Sequence, residues 1–182
     1  MRHERLRGRQ LLLRPLRPSD AVPLDRILRD RRATRFLAPW TRRENGQQWV
    51  TRILREQGAG KRVAFAVDLH IPPETIGQIN LFNWSHSEHT ADVGFWLRRK
   101  YWGRGFGTEA LRLICQYGFG PLSLHRIGAL VIDGNIGSMR SLRKVGFRRE
   151  GRSRESALIS GRWVDTWGFG LLRDELRDSP AR

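Results

Sequence analysis

Cysteine and long apolar runs are scarce in this sequence. Cys115 is its single cysteine, which excludes an intramolecular disulfide, and no neighbouring cysteine or histidine completes a zinc site with it. No run approaches the roughly 20 apolar residues that cross a bilayer. The basic residues 1–10 are not followed by the apolar core of a secretory signal. We therefore expect a cytoplasmic protein that spans no membrane and holds no metal.

Acidic residues are also few, because 18 Asp and Glu face 34 Lys and Arg and give a formal net charge of +16. Nearly all of the positive charge is arginine, since Lys61, Lys100 and Lys144 are the only lysines. Two interpretations remain open. Arginine enrichment can reflect a GC-rich genome, whereas a field this positive also attracts phosphate-bearing ligands, acidic peptides or RNA.

A chain of 182 residues is long enough to bury one sizeable core and short for two domains. We find no repeat, linker or low-complexity block. The sequence therefore predicts a single domain over residues 1–182, with its folded part from about residue 10 to 172 and a polar, frayed tail over 173–182.

Hydrophobic periodicity predicts alternating strands and helices. The first half predicts strand 10–16, a helix from Ser19 or Asp20 to 30, a helix from a Thr41 and Glu44 capping box to about 58–60, and strands 62–69, 75–84 and 90–97. The second half predicts helix 108–117, strand 125–132, helix 135–145 ending at Gly146, and two strands from Phe147 to Leu172 that turn around Ser160 and Gly161. The strands from 62 to 97 follow one another at the spacing of an antiparallel meander.

A glycine-rich turn, with glycines at 103, 105 and 107, lies between strand 90–97 and helix 108–117. Such a turn can gather main-chain N–H groups at the positive end of a helix dipole, where a phosphate is stabilised. It is not typical of a dinucleotide fold, because it follows a meander, nor of a nucleoside-triphosphate loop, because no lysine precedes Thr108. Glycines at this spacing also occur for steric reasons alone, so the turn by itself leaves both interpretations open.

Four groups of residues form a wider pattern: Leu12, Arg14 and Pro15 with Asp20; Gly94 to Leu97; Tyr101 to Ala110; and Asn135, Ser138, Leu142, Lys144, Gly146 and Phe147. This pattern resembles the GNAT acetyltransferase superfamily over residues 10–172, in particular its RimJ/RimL-like branch, which acetylates protein N-termini. Trp102 stands where the superfamily often has Gln or Arg, a change that this branch tolerates. The resemblance implies an α/β (α+β) fold, the GNAT acyl-CoA N-acyltransferase fold, with a mixed, mostly antiparallel sheet of about seven strands flanked by about four helices.

The resemblance also implies acetyl-CoA as cosubstrate and assigns its contacts. Main-chain groups near Trp96 and Leu97 would bond the pantetheine arm, and Asn135 would bond it near the thioester. The N–H groups of the glycine turn would hold the pyrophosphate, which involves Gly103, Arg104, Gly105, Phe106, Gly107 and Thr108.

Acetyl transfer to an amine needs a neutral amine, a polarised carbonyl and a proton for the departing thiolate. Strand alternation places Asp92, Gly94 and Trp96 on one face, and Asp92 matches a position where some superfamily members carry a carboxylate base. We therefore predict Asp92 as the base; the other interpretation is a solvated carboxylate paired with an arginine. The replacements considered for it are Glu88, Glu155 and Asp165.

Ser138 matches a serine that RimL-like enzymes are proposed to use to protonate the CoA thiolate. Many superfamily members use a tyrosine after the helix that begins at Asn135, and this chain has only Tyr101 and Tyr117, both before it. We therefore predict Ser138 as the acid. A first-turn helix serine that bonds main-chain N–H groups is the alternative.

The likeness to the RimJ/RimL branch and the positive charge predict the N-terminal α-amine of a protein, such as a ribosomal protein, as acceptor. They also lead us to expect contact with the ribosome and a homodimer. Two alternatives stay open: a small-amine enzyme acting on an antibiotic or polyamine, since one fold hosts many acceptors, and a non-catalytic RNA-binding module that uses the arginines and tryptophans.

Overall fold

The computed structural model of the protein describes residues 4–37 and 44–177. The strands are β1 (Leu6–Arg7), β2 (Leu11–Pro15), β3 (Val63–Leu69), β4 (Glu74–Ser85), β5 (Thr90–Leu97), β6 (Arg126–Ile132), β7 (Arg148–Ile159) and β8 (Arg162–Leu172). They form one sheet in the order β1-β2-β3-β4-β5-β6-β8-β7. The helices are α1 (Ala21–Leu28), α2 (Gly46–Gly58), α3 (Phe106–Phe119) and α4 (Ile136–Val145).

The sheet is covered by two helices on each face. On one face, α3 and α4 bury Leu111, Ile114 and Leu142 against the sheet in the larger apolar cluster. On the other face, α1 and α2 form a smaller cluster in which Trp49 meets Trp96 of β5 edge to face, with ring centroids 5.4 Å apart. The sheet therefore carries apolar side chains on both sides, as a sheet between two helical layers must.

The parallel pairing of β5 with β6 is short, and it positions the site. Only Thr90 to Asp92 of β5 pair with Arg126 to Gly128 of β6. All other neighbouring strands are antiparallel, and β6 continues beside β8 up to Ile132. The sheet is therefore split between β5 and β6 beyond Asp92.

The edge strand β7 differs from the rest of the sheet. Its residues are almost all exposed, and its arginines include Arg148, Arg149, Arg152 and Arg154. Its pairing with β8 shifts register twice, between Arg149 and Gly151 and between Ser153 and Ala157. Such irregularities bend and twist a strand.

The predicted fold is confirmed: four helices flank a mixed, mostly antiparallel sheet. The eighth strand, β1, has two residues and was not predicted, because so short a strand leaves no periodic pattern. Helix α2 is capped by Asn45 and Gln48 rather than by the predicted Thr41 and Glu44. Thr41 lies outside the described residues, and Glu44 pairs with Arg52 at 2.7 Å instead.

The predicted polar tail contains an ordered turn at its start. Residues 173–175 form a 3-10 turn in which the Leu172 N–H donates to Glu175 Oε2 at 3.0 Å. Leu176 then packs on the larger core, and the Arg177 N–H donates to Val145 O at 2.9 Å. In the described part of the chain, no helix is long and apolar enough to cross a membrane.

A buried arginine joins β2, β3 and the start of α1. Arg14 donates two hydrogen bonds to Asp20, at 2.8 and 2.6 Å, and its Nε donates to Asp68 at 2.6 Å. The hydrogen bonds to Asp20 are the main reason that the pKa of Arg14 is raised. Asp20 is only 2% exposed, so its charge depends on this guanidinium for compensation.

Replacing Arg14 with leucine is expected to destabilise the protein by about 3 to 5 kcal/mol, because it leaves the carboxylates of Asp20 and Asp68 uncompensated. Urea unfolding measures the change. Arg29→Leu is the matched control, since Arg29 pairs with Asp25 on the surface and its side chain is 76% exposed. The control is expected to lose about 0.5 kcal/mol or less, and equal losses in the two variants would contradict the prediction.

Candidate functional site

A cavity of about 750 Å³ occupies the split between β5 and β6. The ends of these strands, residues 93–97 and 129–132, form two of its walls. The cavity is also lined from both faces of the sheet: by α3 and α4 on one side and by α2 on the other. Two molecules that approach from opposite faces can therefore meet in the split.

At alternate residues of β5, the main-chain N–H and C=O groups face this cavity. The Arg98 N–H donates to Ile76 O at 2.7 Å, which fixes the hydrogen-bonding phase of β5 against β4. By the alternation of antiparallel strands, Phe95 and Leu97 direct their N–H and C=O groups away from β4 and into the split. Leu97 O accepts a hydrogen bond from Trp102 Nε1 at 2.8 Å, so the glycine turn is tied to this wall.

The glycine turn closes one end of the cavity. Gly103 and Gly105 have φ values of 75° and 85°, in the left-handed region that favours glycine. Gly105 directly precedes α3, and Gly107 and Thr108 of the first helical turn line the cavity. First-turn N–H groups have no acceptor within their own helix. A Cβ on Gly107 would lie 3.2 Å from Phe95 Cε2, so glycine keeps this wall open.

Helix α4 supplies the facing wall. Asn135 caps this helix with its side-chain oxygen, which accepts a hydrogen bond from the Ser138 N–H at 3.3 Å. Ser138, Arg140 and Lys144 all line the cavity. The two cations lie one helical turn apart, which puts positive charge beside the positive end of α3 and suits an anionic ligand.

Two basic residues just before the glycine turn form ion pairs outside the cavity. Arg98 and Lys100 bind Glu74, at 2.5 and 3.1 Å. The hydroxyl of Tyr101 also donates to Glu74, and this hydrogen bond is the main cause of the lowered pKa of Glu74. On the α3 and α4 side of the cavity, the cations that line it thus belong to α4, and Arg98 and Lys100 do not line it.

On the α2 face, the cavity ends at a buried polar pair. Gln78 and Asn80 of β4 are 1% and 4% exposed, and Asn80 Nδ2 donates to Gln78 Oε1 at 2.8 Å. Arg62 Nη1 donates to Asn80 Oδ1 at 2.8 Å, and its guanidinium carbon lies 5.1 Å from the centre of the Phe82 ring. The remaining lining residues on this side include Arg35, Phe36, Trp49, Arg52 and Trp96.

The carboxylates of Glu44 and Glu56 form ion pairs with Arg52 and Arg62. Arg52 binds Glu44 at 2.7 Å and Glu56 at 3.0 Å, and Glu56 also accepts from Arg62 Nε at 2.7 Å. Burial alone would raise the pKa of Glu56, but the hydrogen bonds from Arg52 and Arg62 outweigh it and lower that pKa. Arg52 and Arg62 line the cavity, whereas neither glutamate does.

The acetyltransferase (GNAT) domain family matches residues 10–148, from β2 through the glycine turn to the start of β7. The chain belongs to the GNAT acetyltransferase family. It is accordingly an N-acetyltransferase that uses acetyl-CoA. The glycine turn, the open main-chain edge of β5 and the cations of α4 fit the phosphates and arm of that cosubstrate.

Similar acetyltransferases extend over most of the chain. The [ribosomal protein uS5]-alanine N-acetyltransferase of Escherichia coli is 30% identical over 174 residues, which cover 88% of this chain and 87% of that protein. The structure of Mycobacterium smegmatis RimJ in complex with CoA-disulfide is 28% identical, with a TM-score of 0.81 over 93% of this chain and 85% of that one. The spermidine N-acetyltransferase of Vibrio cholerae in complex with CoA and spermine shares the fold, at 21% identity and a TM-score of 0.82 over 92% of this chain and 98% of that one.

Most residues that the sequence predicts for this GNAT site line the cavity: Trp96, Leu97, Gly103, Gly105, Gly107, Thr108, Asn135 and Ser138. Arg104 and Phe106 do not. Phe106 packs in the core with 8% of its surface exposed, and the guanidinium of Arg104 lies 5.9 Å from the centre of the Tyr101 ring. Any contact of these two residues with acetyl-CoA would use the main chain.

Asp92, the predicted base, is not part of the cavity wall. It is the last residue of β5 paired with β6, and its carboxylate accepts a hydrogen bond from Asn83 Nδ2 at 2.9 Å. Its Oδ1 covers Gly128, where a Cβ would lie 2.3 Å away. The replacement candidates Glu88, Glu155 and Asp165 do not line the cavity either. The role of Asp92 stays a prediction that this geometry does not support.

Several residues of the acetyltransferase site were not predicted from the sequence. Gln78 and Asn80 are polar residues that alternate with apolar ones in the middle of β4, and that pattern was a usable signal. Arg140 and Lys144 stand four residues apart on one face of the helix after Asn135 and were also recognisable. Arg62 gave no signal, because arginines are common along this chain.

Gly105→Ala is expected to weaken CoA binding about ten-fold, because an alanine at this φ costs about 1 to 2 kcal/mol and shifts the first-turn N–H groups of α3. Isothermal titration with CoA measures the effect. Gly60→Ala is the matched control: Gly60 also has a positive φ, 70°, and open space around its Cβ position, but it lies at the end of α2 outside the cavity. Equal CoA affinities in the two variants would refute the assignment.

Proposed function

We propose that this acetyltransferase transfers the acetyl group of acetyl-CoA to the N-terminal α-amine of a protein, such as a ribosomal protein, by direct attack in a ternary complex. The observation that carries the proposal is the cavity that joins the two faces of the sheet. Its α3 and α4 side suits CoA, and its α2 side is left for the acceptor. The 30% identity to the uS5-alanine acetyltransferase supports a protein N-terminus as that acceptor.

The acceptor side offers hydrogen-bonding groups suited to a peptide. The amides of Gln78 and Asn80 are buried at its base, where they can bind the main chain of an N-terminal residue. Trp49 and Trp96 add apolar surface beside them. Glu44 and Glu56 accept hydrogen bonds from Arg52 and Arg62 and do not line the cavity, so the described residues on this side present no carboxylate for a polyamine to bind.

When bound, acetyl-CoA supplies a thioester carbonyl that the amine attacks. The main-chain N–H groups of Phe95 and Leu97 turn into the split, which makes them candidates to polarise that carbonyl. Ser138 lines the same cavity from the first turn of α4 and can give its hydroxyl proton to the departing sulfur. Asn135 orients this turn through its cap and retains its amide N–H groups for the pantetheine arm.

The acceptor class is tested by competition in one reaction. Wild-type enzyme and acetyl-CoA are incubated with a peptide that begins with alanine and lacks lysine, the same peptide blocked at its N-terminus and carrying one lysine, and spermidine. Mass spectrometry is expected to find the acetyl group on the free α-amine. Acetylation of spermidine in preference to the peptide would reject a protein N-terminus as the acceptor.

Ser138→Ala is expected to lower kcat about 100-fold with little change in the KM for acetyl-CoA, because it removes a proton donor and leaves the helix cap intact. Steady-state kinetics on the α-amine peptide measures this split. Ser141→Ala serves as control: Ser141 lies on the same helix, but its hydroxyl donates to Gly137 O at 3.0 Å. A loss in kcat as large for Ser141 as for Ser138 would count against Ser138 as the acid.

A further inference from the structure

The charged side chains that line the cavity are cationic. Over the described residues they are Arg35, Arg52, Arg62, Arg140 and Lys144, and Tyr101 adds a phenol that is bonded to Glu74. Two carboxylates bound to these arginines, Glu44 with Arg52 and Glu56 with Arg52 and Arg62, do not line the cavity. Because hydrogen bonds from those arginines lower its pKa, Glu56 is a weak proton acceptor.

Residues 38–43 lie outside the described part of the chain. Their sequence is Ala38-Pro39-Trp40-Thr41-Arg42-Arg43, which has neither a carboxylate nor an imidazole. Asp92 is bonded to Asn83 and faces Gly128 and the neighbouring Arg126, where β5 and β6 are still paired. Among the described residues, the cavity therefore offers an acceptor amine guanidiniums and amides and no carboxylate base.

A cationic wall discriminates between amines by their protonation. An α-amine has a pKa of about 8 and a lysine amine one of about 10.4, so at pH 7.5 about a quarter of the first but only about one in a thousand of the second is neutral. The positive side chains repel the ammonium form and leave the neutral form unaffected. Such a site favours α-amines by a factor on the order of a hundred before any other contact is made.

We propose that the enzyme accepts amines that are already neutral in solution and that no carboxylate or imidazole among the described residues of the cavity acts as general base, an inference that rests on the proposed function. The nitrogen lone pair forms the bond to the carbonyl carbon, and the carbon–sulfur bond breaks with its electron pair on sulfur. The nitrogen gives up one proton and the sulfur takes one, with Ser138 as the relay. Because this proton count balances, a neutral amine needs no further acceptor.

The test is the pH dependence of kcat/KM, which reports the ionisations of the free enzyme and free acceptor. Two peptides are compared that differ only in their first residue, alanine in one and the more basic β-alanine in the other. Each amine is titrated separately. The logarithm of kcat/KM is expected to rise with pH at unit slope and to level off at the pKa of each peptide's own amine. The two pH values at which the profiles level off should therefore differ by the difference between the two titrated amine pKa values.

A break at the same pH for both peptides would mark a titrating group of the enzyme and overturn the proposal. Asp92→Asn is measured in parallel: the breaks are expected to keep their positions, and their loss in this variant would restore Asp92 as the base. No transfer to either peptide, with CoA binding intact, would instead overturn the proposed function and this inference with it.

The cationic wall is tested separately at Arg35, an exposed side chain whose guanidinium carbon lies 4.4 Å from the centre of the Phe36 ring. Arg35→Glu is expected to bind a lysine amine, which is almost wholly ammonium at pH 7.5, about five-fold more tightly as a competitive inhibitor of the α-amine peptide, the effect of a two-unit charge change across a few ångströms of water. Arg35→Gln is expected to give a smaller change in the same direction. An inhibition constant unchanged in both variants would refute the repulsion of ammonium groups by this wall.

Discussion

The separation of two neighbouring strands is the constraint on which the site depends. Strand β5 pairs with β6 over three residues and then leaves it, while β6 stays beside β8. Main-chain groups in the interior of a sheet normally find partners across the ladder. Those of Phe95 and the N–H of Leu97 face an open split instead, where a bound arm can supply the missing hydrogen bonds, whereas Leu97 O already accepts from Trp102 Nε1. The glycine turn, α4 and the acceptor side are all arranged around this opening.

Much of the fold could be predicted because the signals were local. The meander, the glycine turn and the helix that ends at Gly146 each depend on residues close together in sequence, and each lies where predicted. The start of α2 was misplaced because Thr41 with Glu44 and Asn45 with Gln48 have the same spacing of residues suited to a cap. Only the contact of Glu44 with Arg52 distinguishes the two, and that contact belongs to the tertiary structure.

The residues on the CoA side of the site could be predicted from the sequence. Those on the acceptor side could be predicted only poorly. Helix termini and glycine turns bind phosphate through the main chain, which leaves a sequence pattern. The acceptor side is assembled from β4, α2, the segment after α1 and Arg62 just before β3, so no short stretch contains it. Strand alternation predicts Asp92 on the same face as Trp96, but it could not reveal that Asp92 lies where β5 and β6 are still paired.

The irregular, arginine-bearing edge strand β7 affects how the protein behaves at high concentration. An exposed strand edge is a template onto which another chain can add by main-chain pairing, and proteins commonly prevent this with charge and bulges. Strand β7 has both, since its register shifts twice and several arginines project from it. The opposite edge, β1, offers only two residues. Neither end of the sheet therefore invites the continuous strand pairing that leads to fibres.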